Sequence, residues 1–380
     1  MKNAAPSIWF VSNTTWYIFN FRARLISELL AEGFRVTVLS PADEYVDRVR
    51  ALGTTHIHLE LDNGGTNPLK DVRTLIGLTQ LFREEKPGVL LTFTPKVNIY
   101  CSLAGRIARV PVIANISGLG TGFIRGGWLT ILVKGLYRLA LRHPVRVFFQ
   151  NEDDRSLFVK AGLVRESLTR CLPGSGVDVD KFCPQTRSTT DDQFIFLVAA
   201  RLLWDKGIKE YVEAARILRR DFPSVEFRIL GFLDAKNPTA ISREQVAAWE
   251  SEGVIRYFGA TDEVASHYAG ADCVVLPSYR EGTPRSLLEA ASMGKPIITT
   301  DAPGCRNVLE EGVTGFLVRL QDAVDLAEKM KKLLLLPPQQ RRLMGEKGRE
   351  KMIREFDERI VIEKYLEVIE DLIGTDRTAS

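Results

Sequence analysis

Two doubly wound α/β domains, each a parallel sheet covered on both faces, are what this 380-residue sequence predicts. Three observations predict it. The length exceeds what one core organises, since single domains usually stay below about 250 residues. Short runs of strand-forming residues alternate with helical patterns from the start, as they do when parallel strands are joined by crossover helices. The alternation then breaks once, at a Gly/Pro/Asp-rich stretch over 172–193, and restarts beyond it. Ligands of such sheets sit outside the carboxyl ends of the strands, so two facing domains imply an interdomain cleft lined by both sets of loops.

The elements follow in order. "SIWFVS" leads into "NFRARLISELLAEG", "RVTVLS" into "EYVDRVRALG", and "GVLLTFT" into "NIYCSLAGRIARV"; "RVFFQN" at 146–151 closes the first half. After "LPGSGVDVDKFCPQTRSTTDDQ", which reads as a linker, come "FIFLVAA" (194–200), "VEFRILG" (225–231), "VIRYFG" (254–259), "CVVLPS" (273–278), "PIITTD" (296–301) and "GFLV" (315–318). Amphipathic helices end the chain, "DAVDLAEKMKKLLLL" and then roughly 338–373, and their apolar stripes need a domain surface to cover. The expected boundaries are 1–178 for the first domain and 179–358 for the second. A last helix, 359–380, is expected to cross back to the first domain and to end in the frayed "GTDRTAS".

Composition removes several function classes. Apolar residues make up 45% and charged residues 26%, ordinary for a folded protein. Cys101, Cys171, Cys183, Cys273 and Cys305 show no CxxC spacing, so neither a zinc site nor a disulfide framework is expected. Of the four histidines only His56 and His58 are close in sequence, and "HIH" reads as alternate positions of a strand; no protein-bound metal and no cofactor are expected. The N-terminus lacks the pattern of a signal peptide and no segment offers eighteen uncharged apolar residues, so a cytoplasmic location is expected. The net charge of +3 hides an asymmetry: Cys101–Gln150 holds seven Arg or Lys and no acid. Without a nucleic-acid motif, and with the rest of the chain nearly balanced, no nucleic-acid partner is expected.

Two short motifs carry chemistry. "CVVLPS" followed by "YREGTPRSLLEAASMGKP" is a strand, a turn and a helix, with Thr283 as N-cap, Pro284 at the first helical position and Gly294 past the end. Free N–H groups at that start suit a polar or anionic ligand. Glu281 precedes the helix, where it serves a ligand or merely complements the macrodipole. Glu289 lies among leucines and alanines; buried, it needs partners such as sugar hydroxyls, and facing solvent it needs none. In "AARLLWDKGIKE", Arg201 and Lys206 flank a turn before Gly207, which is a diphosphate clamp or a solvated basic turn.

In the first half the glycine-rich "NISGLGTGFIRGG" (115–127) lets backbone approach a ligand, or is a plain loop. The segment after it, 123–149, sets Arg125, Lys134, Arg138 and Arg142 among Trp128, Tyr137 and many leucines. That pattern suits a membrane surface carrying anionic lipid, or a helix buried on one face.

Together "RLLWDKG", the "GVDVDKFCP" stretch and "PSYREGTPRSLLEAASMGKPIITTDAPGCRNVLEEGVTGFLV" resemble the retaining glycosyltransferase family 4, whose GT-B fold has two facing Rossmann-like domains. "FNFR", "PADEY", "NPL", "KVNIY", "GLGTGFI" and "FFQNEDD" are similar to its capsule, O-antigen and N-glycan subgroup, which extends a sugar on polyprenyl diphosphate. The resemblance implies a UDP-sugar donor, a polyprenyl-diphosphate-linked acceptor, an α-linkage formed without a metal, and peripheral association with the inner face of the cytoplasmic membrane. It implies that Glu281 meets donor-sugar hydroxyls and Glu289 the ribose, that Arg201 and Lys206 hold the diphosphate, and that Gly282, Thr283, Pro284 and Arg285 present backbone to sugar and phosphate. Tyr257 and Gly259 then lie near the base, and Gly120 and Thr121 on the donor side. "SNTTWYIFNFR" stands where many members carry paired glycines, which assigns Asn13, Trp16 and Arg22 to the acceptor. Pro95 replaces a histidine of some relatives, leaving Lys96 and Asn98 as acceptor-side candidates. The alternatives are a UDP-sugar 2-epimerase, which needs acid and base groups around the sugar C2, and a non-catalytic sugar-nucleotide-binding scaffold subunit.

Overall fold

The structure is a computed structural model that describes residues 6–61, 68–119, 127–186, 193–233 and 237–378. The chain divides into two compact units: unit 1 is 1–175 with 361–380, and unit 2 is 176–360.

In unit 1, β1 (Ser7–Val11), β2 (Arg35–Ser40), β3 (Thr55–His58), β4 (Val89–Phe93), β5 (Val112–Ile116), β6 (Arg146–Phe149) and β7 (Thr169–Cys171) form one sheet. Its order is β3-β2-β1-β4-β5-β6-β7, and every pairing is parallel. Between them run α1 (Thr15–Ala31), α2 (Val46–Ala51), α3 (Pro68–Glu85), α4 (Pro95–Ala108), α5 (Gly127–Ala140) and α6 (Glu152–Lys160). The pleat sends alternate residues to opposite faces. Ile8 and Phe10 pack with α1, while Trp9 and Val11 belong to the core shared with α3, α4 and α5.

Unit 2 repeats the plan with β8 (Ile195–Ala199), β9 (Glu226–Leu230), β10 (Arg256–Tyr257), β11 (Cys273–Leu276), β12 (Ile297–Thr300) and β13 (Gly315–Val318), ordered β10-β9-β8-β11-β12-β13 and all parallel. Its helices are α7 (Ile208–Asp221), α8 (Arg243–Ser251), α9 (Val264–Gly270), α10 (Arg285–Ser292), α11 (Ala323–Leu335) and α12 (Pro338–Lys351). In each sheet the strand order reverses once, between β1 and β4 and between β8 and β11. That switch point is where loops splay apart and leave room for a ligand.

Several readings shift in detail. β7 has three residues and no apolar run, so its sequence gives no strand signal. Part of the stretch read as linker is packed: Val177, Val179 and Phe182 enter the unit 2 core with Leu287 and Met352, and Val177 N–H donates to Phe356 O. The final helical stretch is interrupted, because a π-type turn at Met352–Phe356 follows α12 before α13 (Glu358–Thr378) begins. From Val361 onward the chain belongs to unit 1, where Val361, Ile362, Tyr365, Val368 and Ile369 join the α1 face of the core. No described helix is long and apolar enough to cross a membrane.

Candidate active site

The switch point of unit 2 is formed by the turn after β8 and the turn after β11. Past β8, Arg201 is exposed, Trp204–Lys206 make one tight helical turn, and Gly207 opens α7 at φ +71°. A Cβ at Gly207 would lie 2.0 Å from Pro277 O, so only glycine lets this turn sit against the one after β11. Across the gap Lys206 Nζ is bonded to the Glu281 carboxylate, with both side chains largely covered. The Glu281 backbone is fixed in turn: its N–H donates to Pro303 O at 3.1 Å. Gly304, at φ +80°, comes so close that a Cβ there would fall 2.2 Å from Glu281 O.

The helix behind this turn starts later than its sequence suggests. Pro284 is the N-cap, extended at ψ 108°, and the helix runs from Arg285. Thr283 does not cap it; its hydroxyl donates to Gly282 O at 2.9 Å. Glu289 is 8% exposed, which settles its side of the helix. Its carboxylate accepts from Arg285 Nε at 2.8 Å and from Tyr268 OH at 3.1 Å. Burial first, and then the Glu289 charge, hold the Tyr268 phenol well above its ordinary range, so it remains the donor. Protein groups therefore meet the desolvation cost of Glu289, and its burial alone does not call for a sugar. Tyr268 is the residue that sequence reading missed, since nothing local links positions so far apart.

At the other end of the sheet Tyr257 OH donates to Gly231 O at 2.8 Å, and Gly231 N–H donates to Gly259 O at 2.7 Å. Gly231 lies so near Ala200 that a Cβ would fall 1.8 Å from Ala200 O, which brings Tyr257 and Gly259 beside the turn that carries Arg201.

The residues assigned to the acceptor separate into two kinds. Asn13 follows β1, Trp16 is 38% exposed in the first turn of α1, and Lys96 opens α4 with Nζ 3.3 Å from Asp71 Oδ1. Asp43 steadies this region by accepting from Thr15 Oγ1 at 2.5 Å and Trp16 N at 3.1 Å. Arg22 and Asn98 are instead interior. Arg22 is 2% exposed and stacks on Phe93, Tyr365 and Tyr17. Asn98 is 1% exposed, donates to Asn115 O and accepts from Thr92 Oγ1; Asn115 Nδ2 in turn donates to Tyr365 OH at 2.6 Å. Both side chains lie inside the unit, Arg22 against aromatic rings and Asn98 within hydrogen bonds, which sets them behind the acceptor-side surface. Gly120, Thr121, Arg125 and the Trp128 side chain lie outside the described residues.

On α5, Lys134 is half-buried, while Arg142, just past the helix, is exposed. Arg138 is committed elsewhere, donating to Ala161 O at 2.9 Å and Gly162 O at 3.2 Å. α4 packs against both α3 and α5. Those flanking helices expose Leu69, Val72 and Ile76 on α3 and Ile131, Leu132 and Leu139 on α5. The α3 residues were missed because "PLKDVRTLIGLTQLF" reads as an ordinary amphipathic helix. Among the described residues no group of three His, Cys, Asp or Glu could hold a metal ion.

Known proteins bear on this arrangement. The family model described as glycosyl transferase 4-like domain matches residues 20–174, and that described as glycosyl transferases group 1 matches 183–351. The N,N'-diacetylbacillosaminyl-diphospho-undecaprenol alpha-1,3-N-acetylgalactosaminyltransferase of Campylobacter jejuni is 29% identical over 96% of this chain and 99% of its own. The UDP-Gal:alpha-D-GlcNAc-diphosphoundecaprenol alpha-1,3-galactosyltransferase of Escherichia coli is 25% identical over 67% of this chain and 68% of its own. Among solved structures, Anabaena HepE in complex with UDP and glucose superposes with a TM-score of 0.78 at 18% identity, over 96% of this chain and 100% of that one. With both halves matched in succession and the two parallel sheets shared, the chain belongs to the glycosyltransferases of GT-B fold, its first half of the 4-like type and its second of group 1.

Proposed function

We propose that this glycosyltransferase moves an N-acetylhexosamine or hexose from a UDP-sugar to a polyprenyl-diphosphate-linked saccharide, with retention of configuration and without a bound metal. The observation that carries the reading is the Lys206–Glu281 pair, set where the order of the unit 2 sheet reverses. A cation and a carboxylate held there match the two ends of a sugar nucleotide, the diphosphate and the sugar hydroxyls.

The chemistry follows from charge. As the glycosidic bond to the diphosphate lengthens, negative charge grows on the leaving oxygens and positive character on the sugar ring. Lys206 and the exposed Arg201 stabilise the first, which is the term a transferase most needs. Donor binding draws Lys206 toward the diphosphate and leaves the Glu281 carboxylate to accept from sugar hydroxyls. Glu289, already oriented by Arg285 and Tyr268, keeps lone pairs for the ribose. Gly282 and the start of α10 offer backbone N–H groups to the phosphates, with Arg285 beside them. The acceptor hydroxyl attacks from the face the diphosphate leaves, which retains the anomeric configuration, and its proton departs with the leaving phosphate.

On unit 1, Asn13, Trp16 and Lys96 serve the acceptor, with Arg22 and Asn98 supporting them. The exposed leucines, isoleucines and valine of α3 and α5, with Lys134 and Arg142, fit an anionic membrane surface, where such an acceptor resides. The names of the relatives in Campylobacter and Escherichia agree with the acceptor class.

The test is mass spectrometry of a synthetic polyprenyl-diphosphate-HexNAc acceptor incubated with the enzyme, a panel of UDP-sugars and EDTA. A single hexose or N-acetylhexosamine increment with one donor is expected. UDP binding without an increment for any donor, with or without divalent metal, would overturn the transferase reading in favour of the scaffold one.

A further inference from the structure

The two turns that carry Lys206 and Glu281 are tied together by a second pair of residues. Tyr279 N–H donates to Asp205 O at 2.9 Å, and Ser278 Oγ donates to the same carbonyl at 3.2 Å. Beyond them Tyr279 OH donates to Glu210 Oε1 at 2.8 Å. Glu210 stands in the first turn of α7, is 7% exposed, and its Oε2 has no hydrogen-bond partner among the described residues. A covered carboxylate with one oxygen unmet is costly to keep. Its neighbour Tyr211 shows the contrast: that hydroxyl donates to the strand carbonyl Phe196 O at 2.8 Å, inside the core. Glu210 reaches out of the helix toward the opposite turn. Burial, and then the bond to Glu210, push the Tyr279 phenol upward, so its proton stays in this bond.

We propose that Glu210 and Tyr279 are positioning residues for sugar transfer. Their hydrogen bond sets the spacing of the two turns, and through it the direction of the Lys206 ammonium toward the donor diphosphate. Neither residue needs to touch the substrate. The inference rests on the donor-site reading above, and it gives Glu210 a role beyond the charged motifs of the sequence.

Donor-saturation kinetics test it. Tyr279→Phe is expected to lower kcat about tenfold, the scale of a small misplacement, with little change in the donor KM. UDP carries the charge that develops on the leaving group, so its affinity, by calorimetry, falls along with kcat. Glu210→Leu matches that loss, and Glu210→Gln, which keeps an acceptor oxygen for the phenol, recovers most of it. In a Lys206→Ala background Tyr279→Phe adds nothing, because the strut then has nothing to aim. Wild-type kcat and UDP affinity in Tyr279→Phe, or losses that multiply in the double variant, overturn the proposal. If Tyr279→Phe does not fold, Glu210→Gln and Glu210→Leu carry the comparison, and equal rates for the two overturn it. If the wild type transfers no sugar at all, the functional reading fails. The strut is then judged on UDP affinity alone, where equal values for wild type and Tyr279→Phe overturn it.

Discussion

The two units use one sheet plan and treat its switch point in opposite ways. In unit 2 the gap between β8 and β11 is filled by paired charge: Lys206 with Glu281, and Arg285 with Glu289 on the helix behind. In unit 1 the corresponding gap between β1 and β4 carries covered hydroxyls and strained backbone. Ser12 is 0% exposed and its Oγ has no partner among the described residues, nor has Thr94 Oγ1, and Thr94 sits at φ +78°. Paired charges hold a small polyanion in one geometry. The gap of unit 1 has beside it the ion pair of Lys96 with Asp71 and flanking helices with exposed apolar residues.

Removing the unit 2 cation tests that contrast most severely. Lys206→Ala is expected to lower the transfer rate by about 10²–10³, the range for losing one preorganised group that meets developing charge. Glu281 loses the Lys206 ammonium while it stays covered, so part of the loss will show as weaker UDP binding. Flotation with anionic vesicles should not change. A variant that transfers at the wild-type rate would place the diphosphate clamp elsewhere.

A smaller effect is expected at the surface of unit 1. Lys134→Glu with Arg142→Glu should weaken partition to anionic vesicles by about 2 kcal/mol or more, at roughly 1 kcal/mol per basic residue removed. Partition to neutral vesicles should stay as it was, carried by the exposed residues of α3 and α5. Arg138 is left intact because its guanidinium holds Ala161 O and Gly162 O, and reversing it would mix a packing loss into the result. Equal partition to both vesicle types before and after the reversal would remove the electrostatic part of the membrane reading.

What the sequence disclosed follows the range of each interaction. Strand alternation and the glycine that opens α7 are local and were read directly; the Arg285–Glu289 pair, four residues apart on one helix face, is as local but went unread. The Lys206–Glu281 contact was legible only as two separate motifs, because it spans 75 positions and exists through the strand order. Tyr268 on Glu289, and Tyr365 on Asn115 from 250 positions away, leave no trace in either neighbourhood. For the same reason Arg22 and Asn98 looked like surface groups: a polar residue in a helical pattern shows its side, but not the distant aromatic or amide that receives it. Val177–Phe182 failed differently, since a Gly/Pro/Asp-rich stretch hides the three apolar residues it buries, Val177, Val179 and Phe182.

Thr94 gives the smallest expected effect and the sharpest sign. A β-branched residue at φ +78° costs about 1–3 kcal/mol, and its covered hydroxyl adds to that cost while it lacks a partner. Thr94→Gly relieves both and loses about 1 kcal/mol to the entropy of glycine in the unfolded chain. Unit 1 should therefore gain about 1 kcal/mol in denaturant unfolding. If transfer slows as stability rises, the strained threonine serves the acceptor, and the hydroxyl-lined switch point of unit 1 is as specialised as the charge-paired one of unit 2. If stability falls, some group holds Thr94 in place more firmly than its geometry indicates. The contrast between the two units would then be one of charge alone, not of strain.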